Sequence, residues 1–146
     1  MNGIRTVGRA GAQGRAAAGV AGTTLADVSR ARDLTRAFCD NLTPAPSQDL
    51  ADALLLAVSE LVTNALRHGG GGFALRLTAT PEAVAVEVDD GEPRPPHARS
   101  PDVLRGGGFG WPLVLSLASG VAVVPRPGGK TVRATFRRAA DLNQAA

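Results

Sequence analysis

The fold is decided by residues 50–90, which read LADALLLAVSELVTNALRHGGGGFALRLTATPEAVAVEVDD. Apolar side chains recur at helical spacing until four glycines at 69–72, which stop the helix. From Phe73 to Asp90 the pattern changes to an alternation of apolar and polar residues, interrupted by a turn at 81–82. The stretch therefore predicts a helix followed by an antiparallel pair of strands with one buried face.

Another helix is predicted upstream of this stretch. Thr23 or Thr24 opens it, and Asp27 follows Thr24 at the spacing of a capping box. Pro44 ends this first helix, and Ser47 supplies a side-chain oxygen that can cap the second. Both helices carry one apolar face and should pack on the same core.

The C-terminal third predicts a loop, a helix and two closing strands. Four prolines between 92 and 105 indicate the loop, and the helix is expected from 111 to about 119. Strands at 121–124 and 131–136 flank a turn at 125–129. The order of elements predicts an α+β fold: a two-layer α/β sandwich with a mixed, mainly antiparallel sheet and helices on one face.

The 146 residues are expected to form one domain at 23–138. Residues 1–22 are rich in Gly, Ala and Arg, so we expect a disordered tail, with only weak support for a short strand at 4–7. Residues 139–146 form a second tail.

Composition excludes several classes of protein. The net charge is only +3 and the arginines are scattered, with four Phe and one Trp to stack on bases, so direct nucleic-acid binding is not expected. The single cysteine, Cys39, rules out an intramolecular disulfide and is expected to be a buried, inert thiol. No apolar run is long enough to span a membrane, and we expect a soluble, cytoplasmic protein.

Glu60 and Asn64 lie four positions apart and therefore share one face of the second helix. A carboxylate can orient or deprotonate a hydroxyl, and a carboxamide oxygen suits a hard cation such as Mg2+. The plainer alternative is a solvated helix face on which Glu60, Asn64 and Arg67 meet water.

Asp90-Gly91 ends an alternating strand. The Asp90 carboxylate can accept a hydrogen bond from an exocyclic amine such as that of adenine, and Gly91 lets a ring approach the backbone. Alternation puts Asp90, and not the rival acid Asp89, on the inward side. The alternative is an ordinary Asp-Gly turn.

Two further glycine-rich stretches can contact phosphates. Residues 106–110, Gly-Gly-Gly-Phe-Gly, lead directly into a helix start, where free backbone N–H groups form an anion cradle, although a flexible linker is the alternative. Lys130 is the only lysine, and it could neutralise phosphate charge or occupy a solvated hairpin tip. Thr131 could donate its hydroxyl to a phosphate oxygen.

Taken together, these stretches resemble the Bergerat-fold, or histidine-kinase-like, ATPases, a superfamily that includes gyrase and mismatch-repair proteins. The resemblance covers about residues 24–137. Residues 60–68 are similar to its N box, 88–91 to its first glycine box and 108–114 to its second. Small size and the Gly-Lys-Thr-Val ending look most like the anti-sigma-factor serine-kinase branch.

The resemblance implies ATP and Mg2+ as cofactors and a role for each matching residue. Glu60 would be the catalytic base and Asn64 the Mg2+ ligand, while Asp90 would bind the adenine amine and Thr131 would lie near the adenine. The residues expected to bind ATP are Asn64, Arg67, His68, Asp90, Gly91, Arg105, Gly106, Gly107, Gly108, Phe109, Gly110, Lys130 and Thr131.

This chain also departs from the family pattern. Residues 92–94, Glu-Pro-Arg, stand where the first glycine box normally has a second glycine, and Gly106 occupies the position of an arginine, with Arg105 one residue away. Trp111-Pro112 replaces a small or aliphatic pair. ATP binding is therefore better supported than phosphotransfer.

The resemblance implies a homodimeric anti-sigma factor that binds a sigma factor and phosphorylates a serine on an anti-anti-sigma protein. The alternative is a nucleotide-gated adaptor that binds ATP without phosphotransfer. A third interpretation, a DNA-associated accessory protein, rests on the arginines alone.

Overall fold

The computed structural model of the chain describes residues 4–5, 14–68, 70–94 and 110–138. Within these ranges the elements follow one another as β1 (Ile4–Arg5), β2 (Ala16–Gly22), α1 (Leu25–Asp40), α2 (Gln48–His68), β3 (Phe73–Ala79), β4 (Ala83–Asp90), α3 (Gly110–Leu117), β5 (Gly120–Arg126) and β6 (Gly129–Arg137).

The strands form one sheet in the order β1-β2-β3-β4-β6-β5, and each neighbouring pair is antiparallel. The predicted α+β, two-layer architecture is confirmed. The expectation of a mixed sheet is wrong for the described strands. Tight turns join β3 to β4 and β5 to β6, and β4 and β5, which run in the same direction, are separated by β6.

The hydrophobic core lies between the sheet and the helices. Phe38 of α1 and Leu54 of α2 are fully buried against strand residues such as Leu75 and Val86. Each such side chain contributes about 1.5–3 kcal/mol by leaving water. Cys39 is buried in the same layer, so the expected buried thiol is confirmed.

The predicted disordered tail at 1–22 is wrong for its last third and for Ile4–Arg5, which is a strand within the range 4–7 considered from sequence. Ala16–Gly22 is an internal strand that pairs with β3 along its whole length, and Ala18 and Val20 are buried. Small side chains predict disorder when the strand is considered alone, but pairing with β3 supplies the backbone hydrogen bonds. Gly22 is required here, since a β-carbon would overlap the side chain of Asp27.

Helix starts follow the predicted caps. The Asp27 carboxylate accepts hydrogen bonds from the backbone N–H groups of Thr23 (2.8 Å) and Thr24 (2.9 Å), and these bonds hold the pKa of Asp27 below its usual value. Ser47 Oγ accepts a hydrogen bond from the N–H of Leu50 at 3.2 Å. In the described part of the chain, no helix has the length and apolar character needed to cross a membrane.

Arg138 ties three loops together beyond the end of β6. Its guanidinium donates to the carbonyl oxygens of Gly14 (2.7 Å), Thr80 (2.8 Å) and Pro44 (2.7 Å). These carbonyls belong to the approach to β2, the β3–β4 turn and the α1–α2 linker. One side chain therefore fixes the end of the molecule opposite the α2–β3 glycines.

Candidate functional site

The second helix presents two unengaged polar side chains near its C-terminal end. Glu60 and Asn64 are half-buried and lie one helical turn apart on α2. Within the described residues, neither side chain makes a hydrogen bond or an ion pair. A carboxylate and a carboxamide that are partly shielded from water and not bound to protein can bind a ligand.

The Glu60 carboxylate reaches the first residue of α3. A β-carbon at Gly110 would overlap Glu60 Oε1, so the two residues are in contact only because position 110 is glycine. The contact brings the acid to the N-terminus of a helix, where free N–H groups and the helix dipole favour anions. Of the predicted phosphate-binding residues, Gly110 is therefore beside Glu60. Arg105, Gly106, Gly107, Gly108 and Phe109 lie outside the described residues.

Asp90 occupies the inner face of the sheet at the end of β4, as the alternation predicts. It lies directly opposite Lys130 of β6, and Lys130 Nζ is 3.0 Å from both carboxylate oxygens. Oδ1 of Asp90 also accepts a hydrogen bond from the N–H of Glu92 at 2.8 Å. Both charged side chains are only 6% exposed, so they form a shielded ion pair.

The alternative placement of Lys130 at a solvated hairpin tip is wrong. Strand β6 already begins at Gly129, and Lys130 is its second residue, with Nζ donating to the carbonyl of Glu92 at 2.9 Å. A β-carbon at Gly129 would overlap the carbonyl oxygen of Asp90. Glycine at that position therefore permits the close approach of β6 to β4 that forms the ion pair.

Thr131 is not brought together with Asp90. It pairs with Asp89, and its hydroxyl donates to that carboxylate on the opposite face of the sheet. Asp89 also accepts hydrogen bonds from Arg76 Nη1 at 2.7 Å and Arg126 Nη1 at 3.0 Å. Burial raises the pKa of Asp89, but the hydrogen bonds from Arg76 and Thr131 and the charges of Arg76 and Arg126 outweigh it and lower the pKa overall.

The loop after α2 connects the two parts of the site. Gly70, at a φ of +85°, lies beside Gly91, and a β-carbon on Gly70 would be 3.5 Å from Gly91 Cα. An open cleft of about 260 Å3 lies at this end of β4. Its lining includes Gly70, Asp89, Asp90, Gly91 and Arg126, but neither Glu60 nor Asn64. Arg67 and His68, in the last turn of α2, are exposed just before the loop.

Sequence reasoning missed the role of Lys130 as the partner of Asp90. The strand register would have identified this partner, because only one residue of β6 can lie opposite Asp90 when β4 and β6 pair. Alternation alone could not supply that register, because the beginning of β6 was predicted two residues too late. Gly129 was the available clue, since glycine in a strand often marks close backbone approach.

Mg2+ binds oxygen ligands in near-octahedral geometry. The described residues contain no group of three or more His, Cys, Asp or Glu side chains that could hold a metal ion. A single carboxamide oxygen such as that of Asn64 still fits, because Mg2+ retains several waters and takes substrate phosphates as ligands. The residues present therefore fit a magnesium that arrives with a nucleotide.

A sequence model of the family described as "Histidine kinase-like ATPase domain" matches residues 22–136. The match includes both long helices, the strands from β3 onward and all the described candidate residues. No curated protein matches the chain.

Proposed function

The chain belongs to the histidine kinase-like ATPase domain family, and from this premise we propose that it is an ATP-binding anti-sigma factor with Mg2+-dependent serine-kinase activity. Its substrates would be ATP and a serine of an anti-anti-sigma protein. We further propose that it acts as a cytoplasmic homodimer that holds a sigma factor inactive.

One observation carries the proposal. Glu60 and Asn64 are one turn apart and have no protein partner among the described residues, and the carboxylate of Glu60 meets the helix start at Gly110. A merely structural pair of polar side chains would be expected to be hydrogen-bonded or fully solvated. Here a potential base, a cation ligand and an anion-binding helix end lie close together.

In the proposed reaction Glu60 accepts the proton of the attacking serine hydroxyl. The serine oxygen bonds to the γ-phosphorus while the bond from that phosphorus to ADP breaks. Asn64 would hold Mg2+, which when bound neutralises phosphate charge. The N-terminus of α3 would orient the phosphates through its backbone N–H groups.

We assign recognition of the adenine ring to the end of β4. Asp90 would accept a hydrogen bond from the adenine amine, and Gly91 would leave room for the ring. This assignment is supported by the position of Asp90 on the inner face of the sheet, which is the face on which α2 packs.

Calorimetry with ATP and Mg2+ tests the binding step. Wild type should bind ATP in a Mg2+-dependent manner, and Asn64→Ala should weaken binding at least about tenfold, as expected when one ligand of the ion is lost. Glu82→Ala is the matched control, because this side chain is exposed in the β3–β4 turn. No binding by folded wild type would refute the proposal.

Phosphotransfer requires a separate assay. Glu60→Ala should retain ATP binding but lose transfer of labelled γ-phosphate to an anti-anti-sigma protein by about 100-fold or more. Equal transfer by wild type and Glu60→Ala would remove Glu60 from the mechanism.

A nucleotide-gated adaptor is the second candidate. It is favoured by the replacement of the second glycine of the first box by Glu-Pro-Arg at 92–94 and by the internal ion pair that already engages Asp90. On this hypothesis wild type binds ATP but transfers no phosphate. Glu60→Ala should then bind the partner protein with the same affinity as wild type.

A further inference from the structure

The outer face of the sheet, which points away from the helices, carries a connected set of five charged side chains. Arg76 of β3, Glu87 of β4 and Arg133 of β6 lie directly opposite one another in the strand register. Asp89 lies two residues further along β4, on the same face, and Arg126 reaches it from β5. We call these five side chains the arginine network.

Each acid of the arginine network is already paired twice. Glu87 lies 3.4 Å from Arg76 Nε and 2.9 Å from Arg133 Nη1, while Asp89 lies 2.7 Å from Arg76 Nη1 and 3.0 Å from Arg126 Nη1. The acids are only 20% and 9% exposed, whereas the exposure of the three arginines is 45%, 47% and 48%. A molecule that approaches this face therefore meets guanidinium groups, with the carboxylates below them.

Two of the arginines keep most of their hydrogen-bond donors. Within the described residues, the only hydrogen bond of the Arg126 side chain goes to Asp89 at 3.0 Å, and that of the Arg133 side chain goes to Glu87 at 2.9 Å. A guanidinium has five N–H groups, arranged as a planar fork that can bind a carboxylate through two parallel hydrogen bonds. The existing bond to an acid also holds each guanidinium in place, so binding a further carboxylate orders less side chain.

The charge on this face selects the chemistry of its partner. Three guanidinium groups stand against two carboxylates in the arginine network, which leaves an excess of one positive charge. Arg76 and Arg133 lie on strands two apart, so their backbones are separated by roughly 10 Å. We propose that this face is an interaction surface for a protein partner with clustered Asp or Glu side chains, whose carboxylates bind Arg126 and Arg133. The inference does not depend on ATP binding.

Two other occupants fit this face less well. A second copy of the chain would offer only acids that are already paired and less exposed than the arginines, so guanidinium groups would face guanidinium groups. Nucleic acid is held by phosphate contacts and by aromatic side chains that stack on bases. On this face of the described strands there is no aromatic side chain, because Phe73 and Phe136 are buried on the inner face. An acidic protein surface needs only the carboxylate-binding forks.

Fluorescence anisotropy of a labelled oligoglutamate peptide tests the proposal in about 150 mM NaCl, where long-range attraction is screened. Wild type should bind this peptide and not a matched oligoglutamine peptide. The double variant Arg126→Gln/Arg133→Gln should bind oligoglutamate at least about tenfold more weakly, because charged hydrogen bonds to the carboxylates are lost.

The matched control is Arg30→Gln/Arg36→Gln on α1. It removes the same two charges from side chains that are 51% and 49% exposed and are also ion-paired, to Asp27 and Asp33. This variant should keep the affinity of wild type to within about twofold, since exposed charges away from the bound peptide are screened. Equal weakening by the two double variants overturns the proposal, because net charge alone would then explain binding.

Thermal melting establishes that each variant is folded. If the double variant does not fold, Arg133→Gln decides the question, since Glu87 keeps Arg76 as a partner; unchanged oligoglutamate affinity in this folded variant overturns the proposal. Folded wild type that does not bind oligoglutamate also overturns it, as does tighter binding of a labelled DNA duplex than of the peptide. Analytical ultracentrifugation covers the remaining occupant: a wild-type dimer that separates in Arg126→Gln/Arg133→Gln assigns this face to a second copy and overturns the proposal.

Discussion

Glu60 of α2 lies against Gly110, the first residue of α3, so closely that a β-carbon at position 110 would overlap Glu60 Oε1. The position of the proposed catalytic base is thus set by the absence of a side chain on another element. This relationship leads directly to a substitution that perturbs the site without removing either functional group.

Gly110→Ala should force the Glu60 carboxylate away from the start of α3. We expect phosphotransfer or ATP affinity to fall at least about tenfold, while stability changes little, because the flexible Glu60 side chain can rotate away from the new β-carbon. Gly120→Ala is the control, because a β-carbon there meets no atom within 4 Å. Urea unfolding establishes that both variants are folded. Equal activity of Gly110→Ala and Gly120→Ala would then show that the contact between Glu60 and Gly110 is not needed for function.

Arg138→Ala should destabilise the fold by about 1–3 kcal/mol, because three backbone carbonyls lose a charged hydrogen-bond donor. The neighbouring Arg137→Ala serves as the comparison, since its exposed side chain makes no hydrogen bond to the described residues. Denaturant midpoints for both proteins measure the difference. If the two variants have the same denaturant midpoint, the hydrogen bonds of Arg138 do not stabilise the fold.

Asp89 should contribute an acid-sensitive part of the stability. Its folded-state pKa lies below that of the unfolded chain, so its contribution is present above about pH 4 and is lost as the pH falls toward the folded pKa. Asp89→Asn should therefore unfold more easily at pH 7 but lose less stability between pH 5 and pH 3. Urea titrations at several pH values test this, with the exposed Asp33→Asn as control. Parallel pH profiles for wild type and Asp89→Asn would contradict the assignment.

Cys39 should be unreactive in the folded protein. Burial, together with the nearby charge of Asp40, raises the pKa of its thiol to about 11, so at pH 8 only about one thiol in a thousand is ionised. A colour-forming disulfide reagent should label it at least about 100-fold more slowly in buffer than in concentrated urea. Rapid labelling of the folded protein would show that this part of the core opens readily.

The elements with strong periodicity were predictable from sequence. The helix containing Glu60, the helix before it and the β3–β4 pair all bury a regular apolar face, so local pattern and final packing agree. The caps at Asp27 and Ser47 were predictable for the same reason, because the bonded groups lie within one helical turn of each other.

The features that were missed depend on contacts between distant parts of the chain. Ala16–Gly22 has no apolar pattern of its own and becomes a strand only through pairing with β3. Lys130, and not Thr131, meets Asp90, because the register between β4 and β6 decides which residue lies opposite that carboxylate. A shift of one residue moves a side chain to the other face of a sheet, so residue type alone could not decide this.

The internal position of β2 has a practical consequence for anyone who trims the protein. A version that starts at residue 23, where the apolar patterning begins, would leave the backbone amides and carbonyls of β3 bare along a hydrophobic strand. Such an uncovered edge invites pairing between molecules and precipitation. Soluble preparations should therefore retain residues 14–22, even though their Gly- and Ala-rich composition is typical of a disordered tail.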